Sequence, residues 1–355
     1  MRGASPPAFE KRLRRISHGI VQSAFDEFLA ARVPIQLGGL QDPFSPIELR
    51  LRVAQQLLEI LREHSYPTII STKGTIITGE PYLSLLRSMN VLVRFSSAGV
   101  KDECKANLEL GCPSFPETLD SIRRLSSVGV PVSLRIQPVI PGHEEAALRM
   151  VELAASAGVA HVSFEYLKLG SEERSDTIKR VSNAIGADIW EEMSSRGMYR
   201  VGRDYTLKPS AKVSFLRKAR KVCRQAVVKF GAGDTEFIHT SDGTGCCNGS
   251  SLFLKGDKQF RANFVGVLSG RGKGTQIRFQ DLAKEWQPRR DVHGYLTTDS
   301  RGRDLSGKYS SWMSLVAHRW NGGRSPYSPK FFWGVDWTGD IDSSGFKIYR
   351  IDEEL

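Results

Sequence analysis

Cys104, Cys112, Cys223, Cys246 and Cys247 are the residues of this chain with the widest choice of chemistry. Two of them are adjacent, in the glycine-rich run Asp242-Gly243-Thr244-Gly245-Cys246-Cys247-Asn248-Gly249. Such a pair can ligate a metal, donate a hydrogen atom, or be two reduced loop thiols. The spacing from Cys223 fits no standard zinc pattern. P-loop, HExxH and GxSxG motifs are absent from the sequence, so nothing points to a phosphate-cradling loop, a zincin or a serine hydrolase. A second set of polar residues draws its meaning from where it falls. Gln41 and Asp42, Lys73, Ser96, and Gln137 with Pro138 lie at or just beyond the ends of short apolar runs. Arg135 and Glu165 lie inside two such runs and are placed to pair as ions.

The runs themselves read as strands. Residues 34–39, 68–72, 91–97, 130–140 and 159–167 are short, rich in β-branched side chains and bounded by turn formers, as buried strands are. Helical patterns separate them. Residues 46–64 place Leu49, Val53, Leu57 and Leu61 on one face behind an initial proline. Residues 80–89 form a shorter helix, 114–128 open on Ser-Phe-Pro-Glu and close at Gly129, and 142–157 close at Gly158. Residues 7–32 precede the first strand as helix, with Ile16, Ile20, Val21, Ala24 and Phe28 as its apolar face. Strand–helix alternation at these spacings predicts a parallel sheet, open or closed as a barrel, with its chemistry at the carboxyl ends of the strands. The strand at 34–39 then lies at an edge, which is an association liability.

Composition bounds the class. The 355 residues are 40% apolar and 25% charged, as in folded globular chains. Formal charge is +11, with +2 in residues 1–170 and +9 in residues 171–355. Residues 209–229 predict a helix carrying Lys212, Arg217, Lys218, Arg220, Lys221, Arg224 and Lys229 and no acid, with Leu216, Ala219, Cys223 and Val227 inward. Arg217, Lys218, Arg220, Lys221 and Arg224 suit a phosphate backbone, or a merely solvated face. Arg261, Arg271, Lys273, Arg289 and Arg290 continue the basic character, and five of the six tryptophans fall from Trp286 onward. Aromatic and basic residues together suit single-stranded nucleic acid, while tryptophan is also ordinary core material. No apolar run approaches the roughly 18 residues of a membrane span. The first residues have no apolar core of a secretory signal, so reduced thiols and a cytoplasmic location are expected.

Several strand ends resemble one family. Gly38-Gly39-Leu40-Gln41-Asp42-Pro43-Phe44-Ser45-Pro46-Ile47-Glu48 resembles the turn after the second barrel strand of the spore photoproduct lyase-like radical S-adenosylmethionine proteins. Ile70-Ser71-Thr72-Lys73 resembles their third strand. Arg94-Phe95-Ser96-Ser97 with Glu109-Leu110-Gly111-Cys112-Pro113-Ser114 resembles the fourth strand and the turn after it, and Gln137-Pro138-Val139-Ile140-Pro141-Gly142 the end of the fifth. The resemblance spans residues 8–170 and continues more weakly through Lys229-Phe230-Gly231, the Asp242–Cys247 run and residues 331–349.

The resemblance implies an α/β fold: a partial (βα)6 TIM-like barrel that here misses its first strand, followed by a basic α+β extension. Expected segments are the barrel at 1–185, a basic helical segment at 186–235 and a Trp-rich basic region at 236–355. Implied cofactors are S-adenosylmethionine and a [4Fe–4S] cluster, whose electron cleaves the sulfonium to a radical that abstracts hydrogen. Lys73 is implied against the cofactor carboxylate, Ser96 against its amino acid or ribose, Gln41 and Asp42 near it, and Gln137 and Pro138 beside the adenine. Lyase chemistry in DNA repair, a nucleic-acid partner and a reductant such as flavodoxin or ferredoxin follow from the same resemblance.

Two departures matter. The family's CxxxCxxC cluster loop is not in this sequence, and Cys104 and Cys112, eight apart after the fourth strand, cannot replace it. Either the sequence is part of a longer one, the favoured expectation, or it is a relative that binds an adenosyl ligand or nucleic acid without a cluster. A partner chain supplying the cluster motif is the third reading. Gly39 stands where true spore photoproduct lyases carry a hydrogen-donating cysteine, which puts dimer repair by that donor in doubt.

Overall fold

The computed structural model describes residues 4–170, 175–244, 247–256, 258–289, 309, 311–322 and 328–355. Six parallel strands form its main sheet: β1 Ile35–Leu37, β2 Thr68–Thr72, β3 Val91–Gly99, β4 Val132–Val139, β5 His161–Tyr166 and β9 Lys229–Ala232. Their spatial order is their chain order, β1-β2-β3-β4-β5-β9. Crossovers of one hand then put the helices that connect these strands on the same side, so the sheet curls into a partial barrel with a helix-covered outer face and an inner face. The expected partial barrel is present. Its sixth strand, β9, comes from the segment read as basic and helical.

The outer face is apolar because alternate residues point to it. Val93, Phe95, Val132, Leu134, Ile136, Val162, Phe164 and Phe230 are all buried there in one core. Helices Phe115–Ser127, Glu144–Ser156 and Pro209–Gln225 contribute Ile122, Leu125, Val151, Phe215 and Leu216 to it. Each such side chain contributes about 1.5–3 kcal/mol on leaving water. Helix Phe115–Ser127 opens on the capping box read from Ser114 and Glu117: each side chain accepts from the other residue's backbone N–H.

Two helices differ from expectation. Residues 7–32 form Pro6–Ser17 and Ala24–Ala30, separated at Gly19, whose φ is +80°. Residues 46–64 split into Glu48–Leu51 and Val53–Glu63 at Arg52, which takes a left-handed φ of 50°. The break changes the register of the apolar face. Ala54, Leu58, Ile60 and Leu61 are buried, while Leu49 is 63% exposed.

Between β5 and β9 lies an insertion, a small antiparallel sheet of β6 Leu169–Gly170, β7 Met198–Val201 and β8 Asp204–Leu207. Described residues between 260 and 351 build a second core around Trp312, Leu315, Trp320, Phe332 and Tyr349, over an antiparallel sheet of β10 Gln276–Ile277, β11 Val335–Ile341 and β12 Lys347–Ile351. This module reaches both edges of the partial barrel. Phe260 and Trp286 pack edge-on against Phe28, ahead of β1, and Trp333 donates to the Glu236 carbonyl, just past β9. Of the clustered tryptophans, Trp312 and Trp320 are therefore core residues, and Trp337 is 44% exposed. Among the described residues no helix is long and apolar enough to cross a membrane.

Candidate functional site

The inner face is polar, and the strand register lays it out in rows. One row is Ser71, Arg94, Ser133 and His161, each the cross-strand partner of the next. The row above is Ser96, Arg135, Ser163 and Gly231. The sequence presents these strands as short apolar runs, with Ser96, Arg135, Gln137 and Glu165 as the polar residues of interest on their inner side. The period-two alternation of Ser-Leu-Arg-Ile-Gln and His-Val-Ser-Phe-Glu was the available signal.

The lower row is closed off. Ile69 and Leu92 pack on Phe253 and Leu254, and Asn90 exchanges two hydrogen bonds with the backbone of Lys255. Residues 247–255 thus plug the bottom of the inner face. A Cβ on Gly249 would lie 2.9 Å from His161 Cδ2, and one on Gly231 would lie 2.8 Å from His161 Nε2. The plug leaves His161 fully buried, with Nδ1 2.7 Å from Ser133 Oγ and Nε2 without a partner. Burial, and then the Arg94 cation, push its pKa down to about 3. His239, beside Phe332 in the module contact, is pushed down to about 4, also by burial.

A pH dependence follows. Both histidines hold folded pKa values below the ordinary 6.5, so the unfolded chain takes up protons first as pH falls. Their neutral-form stability is complete above about pH 6.5 and declines toward pH 3–4, at up to about 1.4 kcal/mol per pH unit for each. Urea unfolding at pH 7, 6 and 5 should show this slope, and His161→Gln should reduce it. An unchanged slope in that variant would show that His161 titrates normally.

The upper rows open at the mouth. Lys73 Nζ donates to the Ser96 carbonyl at 3.1 Å and to Glu109. Lys105 approaches the other oxygen of Glu109 at 3.3 Å, so one carboxylate lies between two ammonium groups. Across the mouth, Arg135 donates to Glu165, as its placement predicted, and Lys168 donates to Glu165 at 2.6 Å. Burial works to raise the Glu165 pKa, but Lys168 and Arg135 outweigh it and hold the carboxyl below its ordinary range.

The residues expected at a cofactor fall into two groups. Lys73 reaches the Ser96 carbonyl, and Ser96 and Gln137 lie at inner-face positions toward the ends of β3 and β4, with Pro138 next to Gln137 in sequence. Asp42 is held by donors within the chain. It accepts from Phe44 N at 2.9 Å, Thr72 Oγ1 at 2.6 Å and Lys73 N at 2.6 Å, tying the turn after β1 to the end of β2. Gln41 is exposed on that turn. Gly39 has open space, with Gln36 Nε2 nearest to an added Cβ at 4.0 Å.

The basic helix Pro209–Gln225 packs on the outer face against β9 and Glu144–Ser156, away from the inner rows. Lys212 is fully buried. Arg217 and Lys218 lie 3.8 Å and 3.6 Å from Glu353 and Glu145, and Arg220 lies 3.4 Å from Asp242. Lys221 and Arg224 are exposed. The helix ends at Gln225, so Val227, expected inward, is 92% exposed.

Cys246 and Arg290 lie outside the described residues. Cys223 is buried in the helical layer, where burial raises its thiol pKa to about 12, and Cys247 is buried beneath the sheet. Cys104 and Cys112 are partly exposed near the mouth. Among the described residues no three His, Cys, Asp or Glu side chains converge as a metal site. The chain's described thiols therefore do not fit the three-cysteine set of a [4Fe–4S] cluster.

No family model and no curated protein matches the chain. Solved structures do. A cysteine-to-serine variant of spore photoproduct lyase is similar over 64% of this chain, at 13% identity and a TM-score of 0.48, and the chain spans 66% of that structure's length. A doubly substituted variant of spore photoproduct lyase with bound S-adenosylmethionine and dinucleoside spore photoproduct matches 61% of this chain and 70% of its own, at 14% identity and a TM-score of 0.45. Streptococcus suis SuiB bound to S-adenosylmethionine matches 54% of this chain and 42% of its own, at 15% identity and a TM-score of 0.36.

Proposed function

We propose that the mouth of this partial barrel binds S-adenosylmethionine, in the manner of the radical S-adenosylmethionine proteins that its strand-end motifs resemble. The carrying observation is Lys73. Its ammonium bridges β2 and β3 at their carboxyl ends and is 33% exposed. It faces a mouth that also carries Ser96 and Gln137. A carboxylate arriving there would take Lys73 from Glu109, which keeps Lys105 as its partner. Asp42 acts indirectly, by fixing the backbone from which Lys73 projects.

Reductive cleavage of the ligand and hydrogen abstraction, lyase chemistry on nucleic acid included, would depend on cysteines that the described residues do not supply. A partner chain is one source of them, and a flavodoxin- or ferredoxin-like reductant would be needed only then.

Calorimetric titration of the purified chain with S-adenosylmethionine tests the reading. Lys73→Ala should weaken binding about tenfold or more, the scale of a lost charge-assisted hydrogen bond. No binding by the unmodified chain would sink the proposal. Anaerobic incubation with iron and sulfide should give no [4Fe–4S] absorbance with this chain alone.

A further inference from the structure

Beside Lys73, the other half of the mouth has donors left over. Arg135 Nη2 and Lys168 Nζ both donate to Glu165, so two cations share one carboxylate and the group keeps a net positive charge. Arg135 Nε is buried and has no acceptor. Ser163 is the cross-strand partner of Arg135 and 1% exposed. Its hydroxyl also has no partner. Both side chains belong to the inner face, because Leu134, Ile136, Val162 and Phe164 beside them fill the outer core. A buried polar group left unpaired costs about 1–3 kcal/mol, and two such groups adjoin a positive centre here. Arg135 and Lys168 are 25% and 36% exposed, so the charged ends of these side chains are reachable from the mouth, while Arg135 Nε and the Ser163 hydroxyl are buried.

An oxyanion would satisfy all three features at once. It accepts from Arg135 Nε–H, accepts from the Ser163 hydroxyl and offsets the surplus charge. We propose that Arg135, Ser163 and Lys168 form a subsite for an oxyanion group, carboxylate or phosphate, on a second ligand. Glu165 is the internal anion that holds the two cations in position. The inference rests on reading the mouth as a ligand site, but its residues are separate from Lys73.

Inorganic phosphate and acetate are the probes, titrated at low ionic strength into the intact chain, with calorimetry and thermal unfolding as readouts. One of the two anions should bind saturably and raise the unfolding temperature, and which one does so sets the class. Ser163→Ala should weaken that binding severalfold and Arg135→Gln about tenfold or more. Glu165→Gln should strengthen it, because the competing internal carboxylate is gone. A purely structural ion pair predicts no such gain. No saturable response to either anion overturns the proposal, as does equal affinity in Ser163→Ala. Ser163→Ala removes only an unpaired hydroxyl, so it decides the matter even where Arg135→Gln fails to fold. S-adenosylmethionine titrated into Ser163→Ala keeps the two readings apart: its retention alongside lost anion binding supports both. Its binding by a chain that takes up neither anion overturns the subsite alone.

Discussion

Lys212→Ala is expected to cost about 3–5 kcal/mol of folding stability, the range for breaking a buried ion pair from one side. Lys212 Nζ donates to Thr206 Oγ1 at 3.0 Å and to Asp234 Oδ1 and Glu236 Oε1 at 2.8 Å each. Lys212 and Asp234 are fully buried, and Glu236 is 5% exposed. The second oxygen of Asp234 accepts from Tyr166 N at 3.0 Å, so the cluster joins β5, the insertion, helix Pro209–Gln225 and the segment after β9. Burial holds the Asp234 carboxyl above its ordinary range even against Lys212, with Glu236 adding to the rise. Without the ammonium, two carboxyl groups would share a dry site with no cation. Urea unfolding followed by circular dichroism reads the loss. The combined Lys212→Met, Asp234→Asn and Glu236→Gln variant should recover much of it, because no charge is then stranded. A loss under about 1 kcal/mol in Lys212→Ala would mean that water relaxes into the cluster.

Gly38→Ala is expected to cost a similar amount, on the order of 4 kcal/mol, at the upper end for single substitutions. Gly38 has a φ of +89°, where an L side chain is strained, and its added Cβ would lie 1.9 Å from the Ser71 carbonyl oxygen on β2. Backbone oxygen in a strand cannot swing aside, so the end of β1 would have to separate from β2. Asp42, which grips β2 only four residues later, would be displaced with it. Gly39→Ala is the matched control. Its Cβ meets nothing nearer than 4.0 Å, and it should stay within about 0.5 kcal/mol. Equal losses in the two variants would refute the steric argument.

Five of the six barrel strands are legible as short β-branched runs, because a sheet covered on one face by helices needs a row of apolar residues at each strand. β9 is not legible in that way. Lys229-Phe230-Gly231-Ala232 holds one large apolar residue, and only its pairing with β5 makes it a strand. Lys73, Ser96, Gln137 and Asp42 stand out in the sequence because parallel folds place chemistry at the carboxyl ends of strands. The donors that Asp42 accepts from, Thr72 Oγ1 and Lys73 N, are not legible there, since a carboxylate beside a turn can answer to many nearby donors.

Charge was the least transferable signal. Lys212 reads as one of a series of surface cations, and helical spacing alone cannot distinguish it from Lys218 or Lys221. The contacts of its helix with β9 and the 235–240 turn put it inside.

The amino-acid sequence determined the strand–helix alternation, the capping of helix Phe115–Ser127 and the placement of Arg135 opposite Glu165, because each depends on residues close in sequence or on a period of two. Tertiary structure decided which polar residues share an inner row and that residues 247–255 close its floor. It also decided that Lys212 is buried and that Arg135 and Ser163 are left with donors unmet. Those outcomes depend on groups that come together only when the sheet curls, and on which of them water can still reach.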